Sequence, residues 1–387
     1  LGAHHPSRGI VTLSVGTDHI DMGAVKELGL SVENCPTFSS NSVAEHALAL
    51  AFRGVYPGPA ENLRGPLMFS GYSDDFAEPA VAHILMRARQ LDESVRRARS
   101  YEYYRKDKPR YRHDEPWANE ELRGASVGIL GRERSAMRLA RMLQDGFGCD
   151  IYGHDAPDAL FDLGAVQMPI SDILKGCDYI FVCSEKYAPR GPVPLPEVVD
   201  TLRLPMPEAS LSRSEVAVLG AGSIGSKIAR AARLGFDCDV TTFNRSVKED
   251  LIAIGVRYTN SAEDAIRNAD FIFVALPLNE GTRSLIGPAS LSRLPPRTRV
   301  LVNVTRDRIV ESEPLYSMLC SGGMLAYATD VLPNDAILWK GGEPDDMTKK
   351  FVQHQAVVAT PHEGDCSKPA LERLCNELNA KIKKILG

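Results

Sequence analysis

Short apolar runs of strand length alternate along the chain with amphipathic stretches of helix length. That alternation marks α/β folds with parallel sheets, whose strands are buried on both faces. The runs predict strands over Ile10–Ser14, Leu30–Glu33, Ser126–Leu130, Cys149–Tyr152, Tyr179–Cys183, Glu215–Leu219, Asp239–Phe243, Phe271–Ala275, Arg299–Asn303, Leu325–Ala328 and Ala356–Ala359. Helices are predicted over Ser42–Arg53, Ala77–Arg99, Ser135–Leu143, Ile224–Arg233, Ala262–Ala269 and Pro369–Ile385. Two stretches rich in Pro and Gly, Tyr56–Pro66 and Ala188–Pro207, lack periodicity and read as linkers. The expected class is α/β with doubly wound parallel sheets.

The pattern also repeats. Val127-Gly-Ile-Leu-Gly131, Cys149-Asp-Ile and Cys177-Asp-Tyr-Ile-Phe-Val182 are echoed by Val216-Ala-Val-Leu-Gly220, Cys238-Asp-Val and Ala269-Asp-Phe-Ile-Phe-Val274. A spacing of about 90 residues exceeds the usual solenoid periods and points to a duplicated βαβ unit. A second echo pairs Val43-Ala-Glu-His-Ala-Leu-Ala49 with Phe76-Ala-Glu-Pro-Ala-Val-Ala82.

The two copies differ where chemistry would sit. Gly220-Ala-Gly222-Ser223-Ile224-Gly225 follows an apolar strand and opens a helix, as a Rossmann dinucleotide loop does. Gly220 would make the tight turn, Gly222 would let pyrophosphate approach the backbone, and Gly225 would let helix and strand pack closely. The next strand ends Phe243-Asn244-Arg245-Ser246, with no acid at its tip to accept ribose hydroxyls. Arg245 between an amide and a hydroxyl suits a 2′-phosphate, which favours NADP, with NAD as the alternative. The earlier copy reads Gly131-Arg-Glu-Arg-Ser-Ala136 and has lost both later glycines. It is expected to keep the fold without the cofactor, a basic anion site on Arg132 and Arg134 being the alternative.

Composition narrows the class further. At ~150 residues per domain, 387 residues make two to three domains, and a net charge of -5 gives no global attraction to nucleic acid or to an anionic membrane. No apolar run approaches the ~18 residues of a membrane helix. Eight scattered cysteines without a Cys-x-x-Cys pair read as reduced core residues, not as a metal site. The N-terminus lacks the basic start and apolar core of a signal peptide, so a cytoplasmic protein is expected.

Downstream of the glycine loop stand Leu301-Val-Asn-Val-Thr-Arg306-Asp-Arg-Ile-Val310, Ala328-Thr-Asp330-Val and Val358-Ala-Thr-Pro-His362, in that order. With Ser14-Val-Gly-Thr-Asp18-His-Ile-Asp21 and Asn41-Ser-Val-Ala-Glu-His46, the chain resembles the D-isomer-specific 2-hydroxyacid dehydrogenase family. The likeness is strongest over 215–387, shorter over 8–54 and weaker over 74–187. It implies hydride transfer between a nicotinamide and C2 of a small 2-oxo or 2-hydroxy acid, and a homodimer. His362 would be the acid/base, and Arg306 the carboxylate fork, helped by backbone N–H groups of Val15 and Gly16. Cofactor contacts would come from Gly220, Gly222, Ser223, Ile224, Gly225, Asn244, Arg245, Ser246, Pro277, Thr282, Val304, Thr305 and Asp330.

Residues 1–55 would be a partial substrate domain, whose first half would precede Leu1. Residues 70–190 would be the degenerate Rossmann-like unit, standing as an added layer in place of that half. The nucleotide domain would span 211–362, and a helix within 363–387 would return to the substrate domain. Three features depart from the family pattern. Asp307 replaces a glycine after Arg306, and carboxylates at Glu363 and Asp365 follow His362. The acid that orients the histidine could be Asp335, by its spacing from Asp330, or Glu343, by its Glu-Pro pair. These departures keep open a rival reading, a nucleotide-sensing or scaffold protein that moves no hydride.

Overall fold

The computed structural model describes residues 9–12, 17, 20–56, 67–70, 77–100, 119–187, 198–200, 209–338, 340 and 342–386. Three parallel sheets form. The first pairs β1 (Gly9–Val11) with β2 (Ser31–Glu33). The second holds β3 (Leu67–Ser70), β4 (Ser126–Leu130), β5 (Asp150–His154), β6 (Val166–Gln167), β7 (Tyr179–Val182) and β8 (Val198–Asp200), in the order β6-β5-β4-β7-β3-β8. The third holds β9 (Glu215–Leu219), β10 (Asp239–Phe243), β11 (Arg257–Thr259), β12 (Phe271–Val274), β13 (Val300–Asn303), β14 (Ala326–Thr329) and β15 (Val357–Ala359). Its order, β11-β10-β9-β12-β13-β14-β15, reverses at β9 and β12, which opens a crevice at the carboxyl ends of the strands.

Every strand expected from the sequence is present, β4, β9 and β10 with the expected ends and the others with shifted ends. β12 and β13 are buried at every position, as their unbroken apolar runs dictate. β3, β6, β8 and β11 were not expected from the pattern of apolar runs. β6 and β11 are short edge strands whose residues are mostly exposed or half-buried, and β8 falls inside the expected linker 188–207. The expected helix over 77–99 is two helices, α3 (Ala77–Ala88) and α4 (Leu91–Ser100), broken where Gln90 takes a φ of 45°. Before them come α1 (Met22–Glu27), capped by the Asp21 carboxylate, and the buried α2 (Ser40–Val55). The carboxyl-terminal helix Lys368–Leu386 packs back on the first segment, Arg373 bonding the Phe38 carbonyl and Lys381 bonding Glu33. All eight cysteines are free. Among the described residues no helix is long and apolar enough to cross a membrane.

The two repeats face one another, with equivalent residues 89 apart in sequence from the first strand through the second. Gly146 and its counterpart Gly235 meet backbone to backbone, and the rings of Phe147 and its counterpart Phe236 lie 6.0 Å apart beside Phe52. Glu45 of α2 accepts the N–H groups of Leu122 and Arg123, just before the first strand of the earlier repeat. Glu78 of α3 accepts those of Leu211 and Ser212, just before the first strand of the later one. The thiols of Cys149 and Cys238 donate to the carbonyls of Leu122 and Leu211. One hydrophobic core runs through α2, α3 and both repeats.

Two consequences of this joint are measurable. A Cβ on Gly235 would stand 2.9 Å from the Gly146 Cα. Helix propensity alone would favour alanine there by ~1 kcal/mol. Gly235→Ala is nevertheless expected to destabilise by ~1–3 kcal/mol in urea unfolding, because the overpacked contact outweighs propensity. Glu45 supplies a pH dependence. Burial pushes its carboxyl from 4.5 up to about 7, against the two backbone hydrogen bonds. The native state therefore holds this proton more tightly than the unfolded chain. Its contribution to stability is full below about pH 4.5 and is lost as the pH rises to about 7. Unfolding titrations should show Glu45→Gln flattening the stability profile across that window; a profile like that of the wild type would contradict this.

Candidate active site

The glycine loop lies at the carboxyl end of β9. Gly220 has a φ of 98°, and a Cβ there would meet the Ala275 carbonyl at 2.6 Å. A Cβ on Gly225 would fall 1.7 Å from the Gly220 carbonyl oxygen, so any larger residue would break the turn. Gly222 faces open space, with nothing within 4 Å of a Cβ, which is the room a pyrophosphate needs beside bare backbone. Ser223 is exposed, and Ile224 packs on the core as the helix Gly225–Arg230 begins.

The tip of β10 is tied to this loop. Asn244 accepts the Ala221 N–H at 3.1 Å through Oδ1, and its Nδ2 donates to the Ser246 carbonyl. Arg245 and Ser246 are exposed. A second cation, not singled out from the sequence, stands close by: Lys248 Nζ donates to Ser226 Oγ in the first turn of the same helix. Beyond β12, the Thr282 hydroxyl donates to the Pro277 carbonyl at 2.6 Å and closes that loop on itself.

In the earlier repeat the equivalent loop carries side chains where the later one has bare backbone. Glu133 stands where Gly222 does, and Ala136 where Gly225 does. Asp155, at the tip of β5, receives Lys186 Nζ at 3.0 Å, the Tyr187 hydroxyl at 3.2 Å and Arg132 Nε at 3.4 Å.

The turn after β13 carries Arg306. The buried Asn303 shapes it, donating to the Arg306 carbonyl and accepting from the N–H and hydroxyl of Thr305, while Val304 is buried beneath. Arg306 Nη1 donates to the Thr305 carbonyl. Asp307, where the family pattern has glycine, accepts the Asn334 N–H at 3.0 Å. Burial, with Asp335 nearby, raises its pKa. The side chain thus ties the Arg306 turn to the segment that carries Asp335.

His362 stands past the end of β15. Its Nδ1 lies 2.7 Å from Asp335 Oδ2, so of the two candidate acids Asp335 is in contact with the ring, and Glu343 is exposed. An ionised carboxylate only accepts, so Nδ1 carries a hydrogen and proton exchange falls to Nε2. His362 has a φ of 55°, a left-handed backbone that costs a non-glycine residue about 1–2 kcal/mol.

What holds the backbone there is a buried polar hub. Asp330, one of the candidate cofactor contacts, gives its carboxylate to the N–H groups of Glu363 and Gly364 at 3.0 and 2.8 Å, and to the Thr360 hydroxyl at 2.6 Å. His46 Nε2 lies 3.3 Å from the same carboxylate. Burial works to raise the Asp330 pKa, yet His46, His362 and Thr360 together hold it well below the ordinary carboxylate range. Around this core, Ser42 Oγ and Arg89 Nη2 donate to the Gly364 carbonyl, and Arg97 Nη2 donates to Glu363 Oε2 at 2.8 Å. Arg89 and Arg97 had no signal in the sequence, because an arginine on an amphipathic helix reads as a solvated face. Val15 and Gly16 lie outside the described residues.

Residues 201–364 match the profile described as D-isomer specific 2-hydroxyacid dehydrogenase, NAD binding domain. D-3-phosphoglycerate dehydrogenase 3, chloroplastic, of Arabidopsis thaliana is 35% identical over 170 residues, 44% of this chain and 27% of that protein. The chain spans about a quarter to a half of the length of the curated relatives it matches. Among solved structures, the D-lactate dehydrogenase of Aquifex aeolicus complexed with NAD and lactic acid aligns over 98% of this chain and 77% of its own, with a TM-score of 0.50 at 18% identity. The NADPH-dependent glyoxylate/hydroxypyruvate reductase of Sinorhizobium meliloti, in complex with NADP and malonate, aligns over 96% and 72%, with a TM-score of 0.51 at 16% identity. At such identities these two likenesses establish the fold. Over residues 201–364 the chain is therefore similar to the NAD binding domain of the D-isomer specific 2-hydroxyacid dehydrogenases.

Proposed function

We propose that the protein is an NADP-preferring oxidoreductase that interconverts a small 2-oxo acid and its 2-hydroxy acid. The observation that carries this reading is the 2.7 Å contact between His362 Nδ1 and Asp335 Oδ2. It leaves an imidazole oriented to exchange a proton at Nε2 near neutral pH. The open backbone at Gly222 supports a dinucleotide, held by the loop 220–225 and by Asn244, Arg245 and Ser246. When bound, the nicotinamide supplies or accepts the hydride. Arg306 receives the substrate carboxylate on its planar fork, and His362 delivers the proton to the substrate oxygen in reduction and removes it in oxidation. Asp335 keeps the ring in that tautomer and stabilises it when charged. Asp307 and Glu363, the carboxylates that would repel an anionic substrate, are instead engaged by Asn334 and Arg97. Those two contacts support the enzymatic reading over the rival in which no hydride moves, and Asp365 is the carboxylate left to favour the rival.

The direct test is oxidation of NADPH and of NADH with glyoxylate, hydroxypyruvate, pyruvate and bulkier 2-oxo acids. Turnover with at least one acid is expected. Tight nucleotide binding without turnover on any of them would overturn the enzymatic reading. His362→Ala is expected to lower kcat by ~10²–10⁴-fold with nucleotide affinity little changed, the usual range for a general acid or base.

Cofactor choice rests on the tip of β10. A charge-assisted hydrogen bond contributes ~1.5–3 kcal/mol, and an exposed guanidinium falls at the low end because salt screens it. Arg245 is therefore expected to favour NADPH by about 10-fold, at ~1.4 kcal/mol per decade. Calorimetry should show the preference shrinking as salt rises, and Arg245→Ala weakening NADPH while sparing NADH. Equal affinity of the wild type for the two at low salt would contradict it.

A further inference from the structure

The described helices that reach the His362 loop from outside the nucleotide domain are α2, α3 and α4. The last two lead directly into the degenerate repeat. Arg89 follows α3 and is fully buried. It donates to Ser42 Oγ at 3.0 Å, to the Glu120 carbonyl at 3.3 Å and to the Gly364 carbonyl at 2.8 Å, and its Nε lies 3.4 Å from His46 Nδ1. Arg97 of α4 pairs with Glu363, itself 2% exposed, the residue next to His362. These contacts hold a two-residue stretch whose neighbour adopts a backbone conformation that histidine does not favour. They are made by the helices that precede a repeat whose own loop has lost two of the glycines a nucleotide loop carries.

We propose that Arg97, with Arg89 beside it, is a positioning residue for the reaction: the degenerate repeat clamps Glu363 and Gly364, and thereby holds His362 against Asp335. The proposal rests on the function proposed above for His362. The repeat thus serves the active site as a built-in partner, supplying a grip where the nucleotide domain's own contribution is Asp330. A guanidinium suits the task because its planar fork can serve several acceptors at fixed angles, which an ammonium cannot.

Among the described residues, the charged groups around His362 include Asp335 in contact, Asp330 within Coulomb reach, Asp365 on the same loop and Arg89 bonded to that loop. His46 and the Arg97–Glu363 pair lie behind them, and Arg306 and Asp307 stand on the turn after β13. The informative variant is therefore Arg97→Met with Glu363→Leu. It removes one positive and one negative charge together and replaces a buried pair by apolar volume, which such sites tolerate. Any change at His362 then reports its geometry toward Asp335 and not a lost charge.

Two readouts are needed, and one is independent of turnover. The ring of His362, assigned by comparison with His362→Gln, is titrated by NMR in the full chain. In the double variant its midpoint is expected to fall toward the ordinary histidine value of ~6.5, as the Asp335 contact loosens. kcat on the best 2-oxo acid is expected to fall ~10- to 10²-fold, the scale of a small misplacement of a reacting group, with nucleotide affinity unchanged. Arg97→Lys should give an intermediate titration and an intermediate kcat. A folded double variant with the wild-type His362 titration and wild-type kcat would overturn the proposal and leave the pair as scaffold alone. If the wild type turns over no 2-oxo acid, the functional reading fails, and the titration still decides whether the repeat positions His362.

Discussion

The structure turns on one unfavourable backbone conformation. His362 must place its ring on Asp335 from a left-handed φ, and nothing in its local sequence prefers that geometry. The conformation persists because the next two residues are fixed from several sides: by Asp330 on their N–H groups, by Ser42 and Arg89 on a carbonyl, and by Arg97 on a side chain. Each of these groups is buried and would carry a large desolvation cost alone, so the cluster is stable only as a completed set. Asp330 illustrates the balance, since burial and its cationic and hydroxyl neighbours pull its proton affinity in opposite directions and the neighbours prevail.

The same logic of mutual support governs the larger joint. Each of α2 and α3 sends a glutamate across to the loop before a first strand, so neither repeat enters its sheet without a carboxylate from a helix outside that sheet. Backbone N–H groups of a loop would otherwise be buried without partners, a cost comparable to a lost hydrogen bond each. The glycine pair at 146 and 235 lets the two repeats approach closely enough for the aromatic cluster of Phe52, Phe147 and Phe236 to seal the centre.

Much of this was legible in the sequence, for local reasons. Apolar runs such as Phe271–Val274 announce buried parallel strands, and the spacing of Gly220, Gly222 and Gly225 announces the turn, because each signal lies within a few adjacent residues. Asp335 was legible as one of two candidates, and three-dimensional contact was needed to choose it over Glu343. The hub was not legible. Arg97 and Glu363 are 266 residues apart, and neither belongs to a local pattern that distinguishes a clamp from a solvated charge. The bonds of Asp330 were hidden for a related reason, since its carboxylate turns inward to the backbone of a loop 34 residues away in sequence. The edge strands β6 and β11 escaped because two or three mostly exposed or half-buried residues make no periodic signal.

The facing of two like units within one polypeptide has a consequence for what such a molecule is able to become. Where two identical chains pair about an axis, every substitution appears on both sides at once, and a change that suits a support and spoils a catalyst is paid for twice. Joining the halves covalently removes that symmetry. Glu133 can stand in one loop while Gly222 keeps bare backbone in the other, and Asp155 can gather cations at one strand tip while Asn244 braces the other. Two copies of one unit are thereby free to diverge within a single sequence.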